Sequence, residues 1–315
     1  MPLRHDWKLN EVNQLGEQPL LELVLQAASV HRAHHDPTAI QRSTLLSVKT
    51  GGCTEDCGYC PQSAHHDASA RRAQTMMTLD QVRTAATHAK SVGASRFCMG
   101  AAWREVKDGP QFDQVVDMVK LVSSMGLEAC VTLGMVTAEQ AQRLKAAGLT
   151  AYNHNLDTSR DHYGAIISTR TYEERLQTLA NVQQAGLQAC CGGILGMGET
   201  RQDRYQLLQT LANLDPHPES VPLNLLVRVP GTPLAGAADF DVLELVRAVA
   251  VARIIMPKSR VRLSAGRSDM TREAQALCFL AGANSIFFGE QLLTTGNPAT
   301  EDDDKLLQDL GLHAT

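Results

Sequence analysis

Three cysteines lie close together in the sequence, at Cys53, Cys57 and Cys60. Thiolates are soft ligands, and three of them on so short a loop can bind three irons of one [4Fe-4S] cube. The fourth iron then has no protein ligand and is open to a small molecule. The alternative is a zinc site completed by His65 or His66, because structural zinc takes four protein ligands. The spacing favours the iron–sulfur cluster.

Three further cysteines and one arginine suggest a second site. Cys130 and Cys190 each end a Gly-Leu-x-Ala-Cys sequence, and Cys98 follows Gly93 by five residues. Free cysteine is common as a small apolar core residue. Three cysteines at matched depth, with Arg262 near the start of its own strand, favour a functional site instead. A buried arginine needs an anionic partner, which a thiolate-ligated cluster would supply.

The remaining two cysteines are assigned to the core. Cys191 follows Cys190, and adjacent residues of a strand point to opposite faces. Cys190 is therefore predicted to face inward and Cys191 outward. Cys278 lies in a helical stretch and is predicted to pack as an apolar residue.

Helical stretches ending in glycine, each followed by a short apolar run, recur along the chain. Eight such runs predict strands buried on both faces, and the segments between them have helical periodicity. Eight βα units predict an α/β fold, a closed (βα)8 TIM-type barrel. Residues 1–38 are predicted to form a cap of short helices, 39–295 the barrel, and 296–315 a polar tail with one or two helical turns. The predicted strands are 44–51, 96–102, 128–134, 151–157, 188–196, 221–227, 261–267 and 285–289.

The predicted barrel separates the two cysteine groups. Active sites of such barrels lie on the loops that follow the strands. Cys53, Cys57 and Cys60 follow the first predicted strand and are expected at the mouth. The other group lies near the strand starts, so it is expected deep in the barrel, with a chamber between the two.

Composition narrows the class of protein. The 315 residues have a formal net charge of −5 and a pI near 6.1, so they show no electrostatic footprint for nucleic acid or an anionic membrane. Apolar runs are too short for a membrane span, and the first residues lack the pattern of a signal peptide. A cytoplasmic enzyme or binding protein is expected, with no nucleic-acid or membrane partner.

The cysteine loop resembles that of the radical S-adenosylmethionine superfamily, in which an aromatic residue, here Tyr59, precedes the last cysteine. Nearly the whole chain is further similar to the biotin synthase family. This resemblance rests on KTGGCTEDCGYCPQS, RFCMGAAWR, MGLEACVTLG, YNHNLDTS, GGILGMGE, SVPLNLLV, RLSAGR and AGANSIFFGE. The resemblance implies a [4Fe-4S] cluster on Cys53, Cys57 and Cys60. Its open iron binds S-adenosylmethionine, which is reductively cleaved to methionine and a 5′-deoxyadenosyl radical.

The same resemblance implies the reaction and its other components. Family members insert sulfur between two unactivated carbons of dethiobiotin, the last step of biotin synthesis. It implies a second, [2Fe-2S] cluster, an external one-electron reductant of the flavodoxin or ferredoxin kind, and a homodimer. The ligands of the second cluster would be Cys98, Cys130, Cys190 and Arg262. Cys191 departs from the family pattern, because relatives have a small non-thiol residue there, and this leaves the ligand of the fifth strand open.

The resemblance also implies binding residues. Asn153, Asn155 and Asp157 alternate along one predicted strand and would contact dethiobiotin or the nucleoside. Arg175 is a candidate for the methionine carboxylate, with a solvated helix arginine as the alternative. The other expected contacts to S-adenosylmethionine are Tyr59, Gly193 and Ile194, and those to dethiobiotin are Asn224, Thr294 and Thr295.

Two other classes compete with this interpretation. One is another radical enzyme on the same barrel, such as a methylornithine-type mutase or a hydrogenase-maturation protein. The other is an iron–sulfur electron carrier or a zinc-stabilised binding protein. The first does not explain the deep cysteines together with Arg262, and a carrier would normally ligate all four irons.

Overall fold

The chain forms a closed parallel barrel in the computed structural model, which describes residues 3–315. The last barrel strand pairs with the first, and two short strands, β5 and β6, share the fifth position. This arrangement confirms the predicted (βα)8 barrel. The strands are β1 (Ala39–Lys49), β2 (Arg96–Ala101), β3 (Glu128–Thr132), β4 (Ala151–Asn153), β5 (Gln188–Cys190), β6 (Gly193–Leu195), β7 (Ser220–Leu225), β8 (Arg260–Leu263) and β9 (Ser285–Phe287).

Helices surround the barrel and are delimited by local sequence signals. Thr78, Thr137 and Thr171 each begin a helix by accepting a hydrogen bond from the backbone N–H three residues later. Gly126 follows a helix with φ +78°, which other residues rarely adopt. Within residues 3–315 the helices are α1 (Leu9–Gly16), α2 (Leu20–His34), α3 (Leu79–Ser91), α4 (Pro110–Ser124), α5 (Ala138–Ala146), α6 (Arg160–Tyr163), α7 (Tyr172–Gln184), α8 (Arg201–Ala212), α9 (Val242–Ile255), α10 (Arg272–Leu280) and α11 (Thr300–Asp309).

The fifth barrel strand is interrupted, whereas the sequence predicted one continuous run over 188–196. The carbonyl of Gly192 accepts hydrogen bonds from the N–H groups of Leu156 and Asp157, and its own N–H donates to the Asn155 side chain. A Cβ at Gly192 would lie 1.9 Å from the carbonyl oxygen of Pro222. The close approach of these backbones therefore bends the chain between β5 and β6.

The first strand is longer than predicted and begins at Ala39. Its start is paired with a short final strand, β10 (His313–Ala314), and residues 41–43 are paired with β9. The prediction placed the start at residue 44 because the residues before it are mostly polar, and an apolar pattern does not reveal these backbone pairings.

The C-terminal segment carries more structure than the one or two turns expected. α11 has ten residues, and its Leu306 and Leu307 are buried in the core. Asp303, also buried, forms an ion pair with Arg267 at 2.7 Å. The acidic sequence of this helix does not predict the contact, because the partner arginine lies in a distant loop.

The helices of residues 3–315 include none with the length and apolarity needed to cross a membrane.

Candidate active site

One cavity of about 320 Å³ joins the two cysteine groups. Its walls include all three cysteines of the loop after β1. They also include the deep group, namely Cys98, Cys130, Cys190 and Arg262. All eight cysteines of the chain are free thiols. The structure thus places both sulfur-rich groups on one chamber, inside the barrel.

The loop of Cys53, Cys57 and Cys60 is held mainly by backbone hydrogen bonds. The N–H of Cys60 donates to the carbonyl of Cys57, and the N–H of Gly58 donates to the carbonyl of Ile166, both at 2.9 Å. Burial raises the pKa of all three thiols, that of Cys60 to about 11. A bound metal centre would have to offset this effect by stabilising the thiolates.

A buried carboxylate anchors this loop to its neighbours. Glu55 accepts a hydrogen bond from Arg170 at 2.8 Å and forms an ion pair with Arg104 at 3.0 Å. The next residue, Asp56, accepts hydrogen bonds from Ser168 and Thr169. Although burial raises the pKa of Asp56, these bonds hold it at about 2. The cysteine loop is thereby fixed to the segment between α6 and α7.

The two histidines after the loop act as braces. The His66 ring donates to the carbonyl of Cys57 at 2.9 Å, and the His65 ring donates to the carbonyl of Thr54 at 3.1 Å. Each ring therefore uses one nitrogen to hold the loop backbone. Within residues 3–315, no three His, Cys, Asp or Glu side chains are grouped closely enough to hold a single metal ion.

The deep cysteines lie at one level of the barrel. Cys98, Cys130 and Cys190 are each the third residue of their strands, β2, β3 and β5. A hydrogen bond between the first two lowers the pKa of Cys98 and raises that of Cys130. The guanidinium of Arg262 also lowers the pKa of Cys98. This environment favours a thiolate at the deep end.

Arg262 is the third residue of β8 and is fully buried beside these thiols. Its Nη1 lies 3.7 Å from the Cys190 sulfur. The other guanidinium nitrogens donate to Ser285 at 2.9 Å and to Gln41 at 3.2 Å, and the group lies 5.0 Å from the Phe287 ring centre. No carboxylate contacts it within residues 3–315, although its charge also lowers the pKa of Glu219.

The donor chemistry of the cavity fits two iron–sulfur clusters. Two groups of three thiols line it. In a [4Fe-4S] cluster each thiolate binds its own iron, and in a [2Fe-2S] cluster the protein ligands are divided between two irons, so the sulfurs need not converge on one ion. The deep group adds a fixed cation that can balance the negative charge of thiolates and sulfide.

Cys190 and Cys191 face opposite sides of the barrel wall, as the alternation predicted. Cys190 lines the cavity, and its sulfur accepts a hydrogen bond from Asn153 at 3.2 Å. Cys191 is buried in the apolar layer outside the strands, where burial raises its pKa.

A buried network at the mouth joins the cysteine loop to β4. The Tyr59 hydroxyl donates to Asp157 at 2.8 Å, and Arg175 pairs with the same carboxylate oxygen at 2.6 Å. Arg175 also donates to the Asn155 carbonyl. The alternative of a solvated helix arginine is therefore wrong. Asp157 has φ +68°, the one non-glycine residue with positive φ among residues 3–315, which marks a backbone held by its surroundings.

The asparagines reach the cavity, although regular pairing of β4 stops at Asn153. The side-chain nitrogen of Asn153 lies 3.5 Å from the side-chain oxygen of Asn155. Asn224 lines the cavity as well, yet its amide donates to the Gly193 carbonyl and accepts from the N–H of Ala265. Asn224 therefore holds the β6–β8 backbone in this structure.

The other predicted contacts divide into two sets. Ile194, Thr294 and Thr295 line the cavity. Gly193 is outside the lining, and a Cβ there would lie 2.7 Å from the Asp157 carbonyl oxygen. Glycine is therefore needed at position 193 for close backbone packing against Asp157, apart from any contact with a ligand.

Sequence reasoning missed three features of the site. Glu55 and Arg170 form their pair across 115 positions, which no local pattern reveals. Trp103 and His154 line the cavity, and burial lowers the pKa of His154, so the ring is neutral. His154 lies between Asn153 and Asn155 in the YNHNLD sequence, and this position could have indicated that it lies near the cavity.

Comparisons with known proteins agree with this site. Residues 47–211 match the Radical SAM superfamily, and residues 222–313 match the Biotin and Thiamin Synthesis associated domain. The barrel, the cysteine loop and the first match define the chain as a radical S-adenosylmethionine enzyme.

Curated relatives narrow the class to one family. Biotin synthase of Methylobacterium radiotolerans is 62% identical over 98% of this chain and 92% of its own length. Biotin synthase of Synechococcus elongatus is 61% identical over 99% of this chain and 97% of its own. The chain belongs to the biotin synthase family.

Solved structures of more distant proteins share the fold. Methylornithine synthase superposes with a TM-score of 0.80 at 16% identity, over 98% of this chain and 94% of its own. The FeFe-hydrogenase maturase HydG from Carboxydothermus hydrogenoformans also gives 0.80, at 15% identity, over 98% of this chain and 76% of its own. The much higher identity to biotin synthases disfavours both of the alternative activities raised above.

Proposed function

We propose that the chain converts dethiobiotin to biotin by radical insertion of sulfur. The observation that carries the proposal is the single cavity with three thiols at its mouth and three thiols with Arg262 at its deep end. A radical source and a sulfur source on opposite sides of one substrate chamber suit this reaction.

Each of the two cysteine groups would hold one iron–sulfur cluster. Cys53, Cys57 and Cys60 would hold a [4Fe-4S] cluster with one open iron. Cys98, Cys130, Cys190 and Arg262 would hold a [2Fe-2S] cluster. When bound, these groups and S-adenosylmethionine supply the radical and the sulfur atom.

The remaining residues position the small molecules. Tyr59, Asn155, Asp157, Arg175 and Ile194 would bind S-adenosylmethionine, and the buried pair of Arg175 with Asp157 would orient the carboxylate for the ribose hydroxyls. Gly193 supports this set by letting Asp157 approach the strand.

Dethiobiotin would lie between the two cysteine groups. Asn153, Asn224, Thr294 and Thr295 all line the cavity, and amides and hydroxyls suit a ureido ring and a carboxylate.

Two further elements of the proposal rest on the family resemblance alone. They are an external one-electron reductant of the flavodoxin or ferredoxin kind and a homodimer. A cytoplasmic location rests on the sequence patterns described above. Sedimentation of the reconstituted protein tests the dimer, and reduction of the clusters by a purified flavodoxin tests the donor.

The decisive experiment is anaerobic reconstitution with iron and sulfide, followed by dethiobiotin, S-adenosylmethionine and a reductant. Mass spectrometry should detect biotin, methionine and 5′-deoxyadenosine. The Cys57→Ala protein should form none of the three, since it lacks one ligand of the first cluster. The Cys278→Ala protein is the matched control, because Cys278 is buried away from the cavity, and it should remain active. Cleavage of S-adenosylmethionine by the Cys57→Ala protein would overturn the radical assignment.

A further inference from the structure

A layer of charged and amide side chains lies directly below the deep site. The residues two positions before the four deep residues share their strands and their inward face. They are Arg96, Glu128, Gln188 and Arg260. Glu219 joins them into one network, and we call these five residues the polar floor.

Arg96 is the centre of the polar floor. Its guanidinium donates to Glu128 at 2.9 Å, to Glu219 at 2.8 Å and to Gln188 at 3.4 Å. Glu219 also accepts from Arg260 at 3.2 Å. Arg96 therefore bridges three strands across the N-terminal end of the barrel.

Exposure falls steeply across this layer. The side chains of Glu128, Arg260 and Glu219 are 42%, 35% and 25% exposed, whereas that of Arg96 is 1% exposed. Solvent thus reaches the outer carboxylates and stops at the guanidinium. Cys98 is the next inward-facing residue on the strand of Arg96, so Arg96 lies between the deep thiols and the exposed carboxylates. The buried Gln41 lies beside it and donates to Glu128.

The composition of the layer is unsuited to a permanent seal. Barrels of this class are usually filled by layers of bulky branched side chains. Here the closing group is a single buried cation held by carboxylates that reach water, so this end stays closed only while that guanidinium keeps its place.

We propose that Arg96 is the plug of a second opening to the deep site, at the N-terminal end of the barrel. When Arg96 moves aside, the opening would admit small inorganic ions, namely the iron and sulfide from which a cluster is built. It gives them access to Cys98 and Cys130 while the mouth is filled by the two organic ligands. The inference rests on the proposed function, since it uses the deep cluster as its reporter.

The test measures loss of the deep cluster to an iron chelator. Reconstituted protein is mixed with bathophenanthroline disulfonate, with or without S-adenosylmethionine plus dethiobiotin and without reductant. Decay of the [2Fe-2S] absorption and release of iron are followed. In the parent protein, the two ligands should slow the decay by closing the mouth. In Arg96→Gln, decay with both ligands bound should be faster by about tenfold, because the second path no longer requires the guanidinium to move.

Arg267→Gln is the matched control. Arg267 is an equally buried arginine paired with a carboxylate, but it follows the C-terminal end of β8, away from the polar floor. Melting temperatures of both variants are measured, so that general loosening is seen in the control. Arg96→Lys, which retains the charge, serves if Arg96→Gln does not fold, and an intermediate decay rate is expected.

The outcomes separate the two proposals. Equal decay in Arg96→Gln and Arg267→Gln, or parent decay that the ligands do not slow, overturns the plug. If the parent protein never shows [2Fe-2S] absorption, the proposed function fails instead. The plug is then tested by mass spectrometry of Cys98 after brief treatment with methyl methanethiosulfonate in the presence of S-adenosylmethionine. Faster labelling in Arg96→Gln than in Arg267→Gln supports it, and equal labelling overturns it.

Discussion

Cys190 and Cys191 are neighbours in the chain, yet one faces the reaction chamber and the other faces the helix layer. Cys191→Ser should therefore retain the [2Fe-2S] absorption and biotin formation. It should lose about 1–3 kcal/mol of unfolding free energy if its hydroxyl is buried without a partner. Cys190→Ser should lose the second cluster and keep the [4Fe-4S] signal. Iron and sulfide content and Mössbauer spectra distinguish the two variants.

The two serine variants serve as controls for each other, because they introduce the same hydroxyl one residue apart. Loss of the second cluster in Cys191→Ser, with retention in Cys190→Ser, would show that the inward face of the fifth strand has been assigned to the wrong residue.

Arg262 is expected to act through its charge more than through direct metal ligation. A guanidinium is a poor metal donor because it stays protonated, whereas its fixed charge can offset thiolate and sulfide. Arg262→Lys should retain the second cluster and measurable biotin formation, lowered by about tenfold because lysine cannot reach Ser285, Gln41 and Cys190 together. Arg262→Met should lose cluster content.

Visible spectra and biotin yield of these two proteins decide the role of Arg262. Complete inactivity of Arg262→Lys with an intact cluster would show that the shape of the guanidinium, and not its charge alone, is required.

Glu55 stabilises the cysteine loop through a buried pair with Arg170. Glu55→Gln keeps the shape and removes the charge, which leaves the Arg170 guanidinium buried without an anionic partner. The unfolding free energy should fall by about 3 kcal/mol. The first cluster should also lose iron faster on dilution. Urea unfolding and iron analysis measure these effects.

The control for this prediction is Glu105→Gln. Glu105 lies 3.8 Å from Arg104, and its side chain is 43% exposed. Its removal should change stability by less than about 1 kcal/mol. Equal effects of the two substitutions would contradict an anchoring role for Glu55.

Local patterns in the sequence were sufficient to predict the barrel and the two cysteine groups. Strand alternation fixes which side chains face inward, so it placed Cys130 and Cys190 on one level and turned Cys191 outward. Glycines after helices set the phase of each βα unit. These signals lie within about ten residues of one another and need no tertiary information.

Contacts between distant segments could not be predicted in this way. Glu55 meets Arg170, and Asp303 meets Arg267, only after the barrel has closed. The interruption of the fifth strand depends on the Pro222 carbonyl, which lies 30 positions after Gly192. An acidic or glycine-rich sequence does not show which partner it will meet.

Two histidines at the end of α2, the buried His31 and the partly buried His35, should make stability depend on pH. Burial, and then the charge of Arg253, lower the pKa of His31 to about 3 and that of His35 to about 4. Arg253 donates to the His35 ring at 2.9 Å, which requires a neutral ring. In the unfolded chain both histidines titrate near 6.5. As the pH falls below that value, the unfolded state therefore takes up protons that the folded state does not.

These histidines should consequently lower stability between about pH 6.5 and pH 4, by about 1.4 kcal/mol per pH unit for each residue. Above pH 6.5 both states are neutral there, so the contribution is constant. Urea unfolding at pH 7.5, 6.0 and 5.0 measures the slope, which His35→Gln should reduce. His34→Gln is the control, because His34 is exposed on the same helix, and the slope should be unchanged. A slope that responds equally to both substitutions would show that other groups cause it.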